Sequence, residues 1–142
     1  MKAGDPLPQR TMVVMMGLPG SGKSTYVNTH FSGAVVVSGD QLKTSKKVLE
    51  ICEFYIQQNQ FFVVDATNLT LERRTPLIDL CKKYLYFCMG VYISTDPNTC
   101  IERIAERVAA GGTKVSRVAV YALNKKKVLP NVEEGFGFLL TV

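Results

Sequence analysis

In this 142-residue chain no cysteine stands in a C-x-x-C spacing, no second histidine accompanies His30, and no apolar run approaches the ~20 residues a membrane helix needs. Each absence closes off a class of protein. Cys52, Cys81, Cys88 and Cys100 are scattered through apolar segments, which reads as reduced, packed thiols in an intracellular, reducing compartment (cytoplasmic, or nuclear or viral in an infected cell) rather than a zinc or disulfide framework. His30, alone, fits a surface or helix-end position better than a metal site. The opening MKAGDPLPQR has no apolar centre of the kind a secretory signal requires, and residues 1–10 read as a flexible polar leader. Also missing is the Asn-Lys-x-Asp with which a GTPase switch reads guanine: the nearest fragment, LNKKK at 123–127, has no aspartate. Acidic residues are in short supply, 12 against 17 lysines and arginines, and the net charge of +5 favours a polyanionic partner. The excess is concentrated. From Arg103 to Lys127 the basic residues are Arg103, Arg107, Lys114, Arg117, Lys125, Lys126 and Lys127, against Glu106 alone.

What is present is an alternation. Short apolar runs TMVVMM (11–16), AVVVS (34–38), FFVVDA (61–66), YFCMGVYIS (86–94) and GFGFLLTV (135–142) read as strands, the first as a strand buried on both faces. Helical stretches separate them. DQLKTSKKVLEICEFYIQQNQ carries Val48, Cys52, Tyr55, Ile56 and Asn59 at spacings of three and four, an amphipathic stripe. LTLERRTPLIDLCKKY repeats the pattern through Leu71, Ile78 and Cys81, with Pro76 implying a kink or a later start. PNTCIERIAERVA opens with Pro97 and ends before Gly111. Strands alternating with helices predict an α/β three-layer sandwich with a mostly parallel sheet, formed by one domain over 11–142, and a ligand site at the carboxyl ends of the strands.

The loop GLPGSGKST at 17–25 fits G-x-x-x-x-G-K-[ST] through Gly17, Gly22, Lys23 and Ser24. Strand, loop and helix come in the order a P-loop NTPase fold requires. Glycines, including Gly20, let successive N–H groups of the loop turn toward phosphate, and the helix N-terminus behind Ser21 to Thr25 adds its dipole. Lys23 is placed to reach the outer phosphates of ATP and the Ser24 hydroxyl to ligate Mg²⁺. Asp65, directly after the FFVV of the third run, suits a carboxylate bonded to Ser24 or to a water on the metal. Asp40, past the second run, lies further toward an acceptor.

GLPGSGKST, SGDQLK, VDATNLTLERR, CIERIAER and the closing LPNVEEGFGFLLTV, in that order, resemble the P-loop polynucleotide 5′-hydroxyl kinases, including the kinase portions of phage and animal end-healing enzymes. The likeness runs through nearly the whole chain from Thr11, and Asp-x-Thr-Asn and the terminal Glu-Gly-Phe are its distinctive parts. The resemblance implies transfer of the ATP γ-phosphate to the 5′-hydroxyl of a DNA or RNA end. It implies Asp40 as general base, Lys43 as the basic contact to the acceptor, Thr67 and Asn68 beside the acceptor, and Arg103 and Arg107 as arginines closing over the donor phosphates. It also implies nucleic acid ends as partners, no membrane, and separate ligase or phosphatase chains as possible companions. This chain departs from the pattern in having Ala66 where many relatives carry an acidic or amide residue. Lys43 stands in place of a frequent arginine, which loses bidentate phosphate geometry, and Ser116 stands where a proline is common.

Phosphoryl transfer needs positioning and charge stabilisation more than a strong base, so an aspartate suffices. A kinase of a small molecule or of aminoacylated tRNA would keep the loop, the aspartate and the arginines. A non-catalytic nucleotide-binding module would keep the loop alone.

Overall fold

The computed structural model describes residues 4–39 and 44–142, so Asp40 and Lys43 lie outside the described residues. Five strands form a single sheet: β1 (Thr11–Met16), β2 (Val35–Ser38), β3 (Phe62–Asp65), β4 (Phe87–Tyr92) and β5 (Phe138–Thr141). Their order is β2-β3-β1-β4-β5, and every pairing is parallel. The helices are α1 (Lys23–His30), α2 (Ser45–Gln57), α3 (Leu71–Tyr84), α4 (Pro97–Ala109) and α5 (Arg117–Lys126), with a 3₁₀ turn at Val132–Glu134.

All six residues of β1 are buried because it is the central strand, flanked by β3 and β4 and covered on both faces. Its side chains alternate between two cores. Met12, Val14 and Met16 join Cys52, Ile56, Leu77, Ile78 and Ile104 from α2, α3 and α4. Val13 and Met15 join Val27 of α1, Val63 and Val91 on the other face. The edge strand β2 is thinner in cover, and Val36 is 44% exposed.

The predicted amphipathic stripes need two corrections. Asn59 does not extend the buried face of α2: the helix ends at Gln57, and Asn59 turns into a left-handed conformation at φ 54° and is exposed. Leu71, the first residue of α3, faces solvent at 45% exposure, while the stripe begins at Arg74. Pro76 is accommodated inside α3, which starts at Leu71 without delay. The end of the segment expected to be a loose leader is tied down. Leu7 packs against the second core, Thr11 Oγ1 donates to Pro8 O at 2.7 Å, and the Arg10 guanidinium bonds Asn59 and Tyr84 O while lying 4.8 Å from the Tyr86 ring centre. His30 ends α1, stacked on Tyr26 at 4.1 Å between ring centres. All four cysteines are buried. Among the described residues no helix is long and apolar enough to cross a membrane.

Candidate active site

At the carboxyl end of β1 the chain folds back through residues 17–22 into α1. Gly20, at φ +78°, sits so close to α4 that a Cβ would lie 2.6 Å from Cys100 O and 2.9 Å from Ile104 Cγ1. Gly22 caps α1 at φ +103° without a side-chain cap, which leaves the first N–H groups of the helix for a ligand. The loop is held from outside. The Gly17 N–H donates to Thr67 O at 3.0 Å, and the Ser21 carbonyl takes two donors, Thr95 Oγ1 at 2.8 Å and Arg103 Nη1 at 3.0 Å. The Ser21 hydroxyl is different: the residue is 2% exposed and its Oγ has no hydrogen-bond partner. An orphaned buried hydroxyl beside uncapped helix N–H groups fits an anionic ligand seated in the loop.

Lys23 Nζ donates to Gly17 O at 3.0 Å and Leu18 O at 2.9 Å, so the ammonium is drawn against the carbonyls of its own loop. Ser24 Oγ donates to Asp65 Oδ2 at 2.7 Å. A hydroxyl bonded to a carboxylate at the loop's end is a donor set that suits a hard cation such as Mg²⁺, which takes one or two protein oxygens and completes its shell with phosphate and water. No cluster of three metal-ligating side chains occurs among the described residues, and this kind of site needs none.

Two cavities open here. A cleft of about 780 Å³ is lined by Ser21, Gly22, Thr25, Thr95 and Arg103, among others. A second cavity, of about 420 Å³, is lined by Gly39, Ala66, Thr67 and Asn68 at the ends of β2 and β3, and by residues of α2, α3 and α5. Near the first, Asp96 caps α4, and bonds from the Thr99 hydroxyl and N–H hold its carboxyl below the usual range. Burial raises the Cys100 thiol, opposed by the charges of Lys23 and Arg103.

Of the residues singled out in the sequence, Gly17, Gly20, Ser21, Gly22, Lys23, Ser24, Thr25, Asp65, Thr67 and Arg103 come together around the loop. Arg107 does not. It lies one turn further along α4, exposed and outside the lining of the larger cleft, and its side chain makes no hydrogen bond or ion pair among the described residues. Asn68 is 5% exposed, left-handed at φ 45°, and its amide donates to Met15 O at 2.8 Å, so its donors splice the loop after β3 to β1.

Sequence reasoning missed Arg74. Its side chain has no exposed surface. Nε and Nη2 meet Glu134 Oε1 and Oε2 at 2.9 and 3.1 Å, and Nη1 donates to Asn68 O at 3.2 Å and Val128 O at 2.9 Å. The arginine ties the loop after β3 to the closing segment, which Val128 also joins by donating to Leu69 O at 2.8 Å. A signal existed: residues 74, 77, 78 and 81 have helical spacing, so Arg74 occupies the first position of an apolar stripe. Thr95 and Asp96, ahead of Pro97, carried a cap signal as well.

The profile of the AAA domain family matches residues 12–51 and 43–127. Over 140 residues, 94% of this chain and 33% of the relative, the sequence is 31% identical to a "Putative bifunctional polynucleotide phosphatase/kinase" of Acanthamoeba polyphaga mimivirus. The chain spans a third or less of the length of the curated relatives it matches. In solved structures the fold is shared with the Pnkp1/Rnl/Hen1 RNA repair complex, at TM-score 0.73 and 16% identity over 89% of this chain and 46% of that one. It is also shared with a gluconokinase from Sinorhizobium meliloti 1021, at TM-score 0.69 and 16% identity over 94% and 82%.

Proposed function

The chain belongs to the AAA domain family and has the fold of a nucleotide-binding P-loop kinase, and from that premise we propose that it transfers the γ-phosphate of ATP to the 5′-hydroxyl of a nucleic acid end. The observation that carries the reading is the Ser24–Asp65 hydrogen bond at the end of the phosphate loop. Asp65 is followed at once by Ala66 and Thr67, which line the smaller cavity, so a donor held by the loop and an acceptor held in that cavity meet at the end of β3. The polynucleotide class of acceptor is supported by the likeness to a polynucleotide phosphatase/kinase and by the basic excess from Arg103 to Lys127.

In this reading the loop N–H groups and the Ser21 hydroxyl hold the donor phosphates. Lys23 exchanges the carbonyls of Gly17 and Leu18 for phosphate oxygens. Arg103, fixed on the Ser21 carbonyl, adds positive charge where the transferring group becomes more negative. Arg107, one turn beyond Arg103 on α4, adds a second positive charge on the donor side. Ser24, with its hydroxyl bonded to Asp65, would hold a Mg²⁺ ion, which would supply electrophilic stabilisation to the phosphate oxygens. Asp40 orients the acceptor hydroxyl and takes its proton, Lys43 and Thr67 contact the acceptor, and Asn68 positions the loop that bears Thr67.

Incubation with γ-labelled ATP, Mg²⁺ and 5′-OH DNA, 5′-OH RNA or a nucleoside 3′-monophosphate tests the reading. Label should appear on polynucleotide, and Asp40→Asn should bind ATP yet transfer nothing. Nucleotide bound with no polynucleotide labelled at any salt concentration would reject the acceptor class in favour of a small-molecule acceptor.

A further inference from the structure

Two cationic side chains that line the 420 Å³ cavity have no role in the reading above. Arg73 stands in the first turn of α3, and Lys126 is the last residue of α5. The neighbouring arginines of α3 have opposite fates. Arg74 is sealed into the fold with all three nitrogens engaged, whereas Arg73 is exposed and gives one N–H to Ser45 Oγ out of the five a guanidinium carries. Among the described residues neither Arg73 nor Lys126 meets a carboxylate within ion-pair distance. Among the described residues the acidic one in the cavity lining is Glu72. Val48, Leu49, Leu69, Leu77 and Leu123 add aliphatic surface to the lining beside the polar Thr44, Ser45, Thr67, Asn68 and Thr70.

Aliphatic side chains beside two cations that meet no carboxylate among the described residues suit a ligand with an apolar-faced body and a permanent negative charge. The volume is that of a small-ligand pocket, large enough for about one nucleotide. The geometry points to Arg73 and Lys126 as the residues that hold the first phosphodiester of the acceptor strand, on the 3′ side of the nucleoside whose 5′-hydroxyl receives phosphate. This assignment rests on the polynucleotide-kinase reading and names the side chains that would make a strand, rather than a neutral metabolite, the acceptor. Arg73 can present two parallel N–H groups to a phosphate, and Lys126 a point charge. Their spacing is set by the buried brace. Arg74 Nη1 bonds Asn68 O, in the loop that lines the cavity, and Val128 O, two residues beyond Lys126. Among the described residues no aromatic is in the lining, so the described wall offers no stacking platform and the grip is on backbone, indifferent to base.

The test is steady-state transfer to a 5′-OH oligonucleotide across a salt series, for wild type, Arg73→Ala, Arg73→Lys, Lys126→Ala, Lys125→Ala, Lys127→Ala and Glu72→Gln, each checked for fold by thermal melting. Arg73→Ala and Lys126→Ala should each raise the acceptor KM about tenfold, as expected when one charge-assisted hydrogen bond to the strand is removed, with the effect falling on KM rather than kcat. Each should also lower the slope of log KM against log salt by about 0.7, the value for one phosphate neutralised on a single strand. Arg73→Lys should restore part of the affinity, and Glu72→Gln should lower KM. Lys125→Ala and Lys127→Ala, outside the cavity lining, should change KM less than about twofold, as screened surface charges do. If the wild type labels polynucleotide while Arg73→Ala and Lys126→Ala leave KM and slope unchanged, the assignment is wrong and the function stands. It is also wrong if Lys125→Ala and Lys127→Ala match Lys126→Ala, since a diffuse field would then explain the salt dependence. A wild type that labels no polynucleotide removes the assignment together with the reading it rests on.

Discussion

Replacing Glu134 by alanine should destabilise the fold by about 3–5 kcal/mol, the range for breaking a buried ion pair by removing one partner. The figure belongs at this site because Arg74 has no exposed surface, so the variant leaves its guanidinium with Asn68 O and Val128 O as its acceptors among the described residues. The carboxylate also accepts the Asn131 N–H at 2.9 Å and closes a capping box on the 3₁₀ turn, so the same substitution uncaps that turn. Arg74→Met should be milder: Glu134 is 15% exposed and keeps its bond from Asn131, so its charge has some water and a partner. The double variant Arg74→Met/Glu134→Leu leaves no charge behind and should lose less than the sum of its parents. Equilibrium urea unfolding reads this directly, provided the m-value is unchanged. For a domain whose total stability is typically about 5–15 kcal/mol, the Glu134→Ala midpoint should fall by about a fifth or more. A Glu134→Ala loss under about 1 kcal/mol, or strict additivity in the double variant, would show that the pair is not the brace described.

Lys23→Ala should abolish phosphoryl transfer while unfolding within about 1 kcal/mol of wild type, since its ammonium bonds the carbonyls of its own loop and supports neither core; a folded variant with substantial activity would unseat the loop. Gly20→Ala should weaken nucleotide binding by calorimetry, because its Cβ would meet Cys100 O at 2.6 Å and φ +78° strains any side chain; unchanged affinity would mean the loop is not held against α4. Burial pushes the Cys52 thiol up to about 12, against about 8.5 in an unfolded chain. Between those values the unfolded chain releases the proton and the folded one keeps it, so stability should fall with rising pH by up to about 1.4 kcal/mol per unit. Cys52→Ala should flatten that decline above about pH 9, and an identical slope would remove the thiol as its cause.

The parallel sheet and the phosphate loop were legible because they depend on local signals: unbroken apolar runs for strands buried on both faces, and a glycine spacing placed between a strand and a helix. Ser24 and Asp65 were legible as a pair because both lie at the carboxyl end of one sheet, where topology alone brings them near. Asn59 misled because periodicity continues on paper after the backbone has turned left-handed. Arg73 and Arg74 are identical in type and adjacent, and only the face each takes on α3 separates them. The partner of Arg74 is sixty residues away, beyond the reach of any local pattern. Asn68 sits where the resemblance led us to look, but its amide is directed to the backbone of β1 by a left-handed turn that the letters do not announce.

The strand order also carries a kinetic consequence. β1 leads the sheet in sequence and stands at its centre, so its two neighbours arrive late: Val13 pairs across to Val63 on one side and to Met89 on the other. A chain emerging from synthesis therefore displays a six-residue strand, apolar from Met12 onward, with two unmet edges, then with one until β4 is made. Such an edge is a template for pairing with other chains, and parallel sheets of long loop closure are slow to form. Refolding yield should accordingly fall with protein concentration. Polar replacements from Met12 to Met16 that would relieve this are barred, because the same side chains supply both cores.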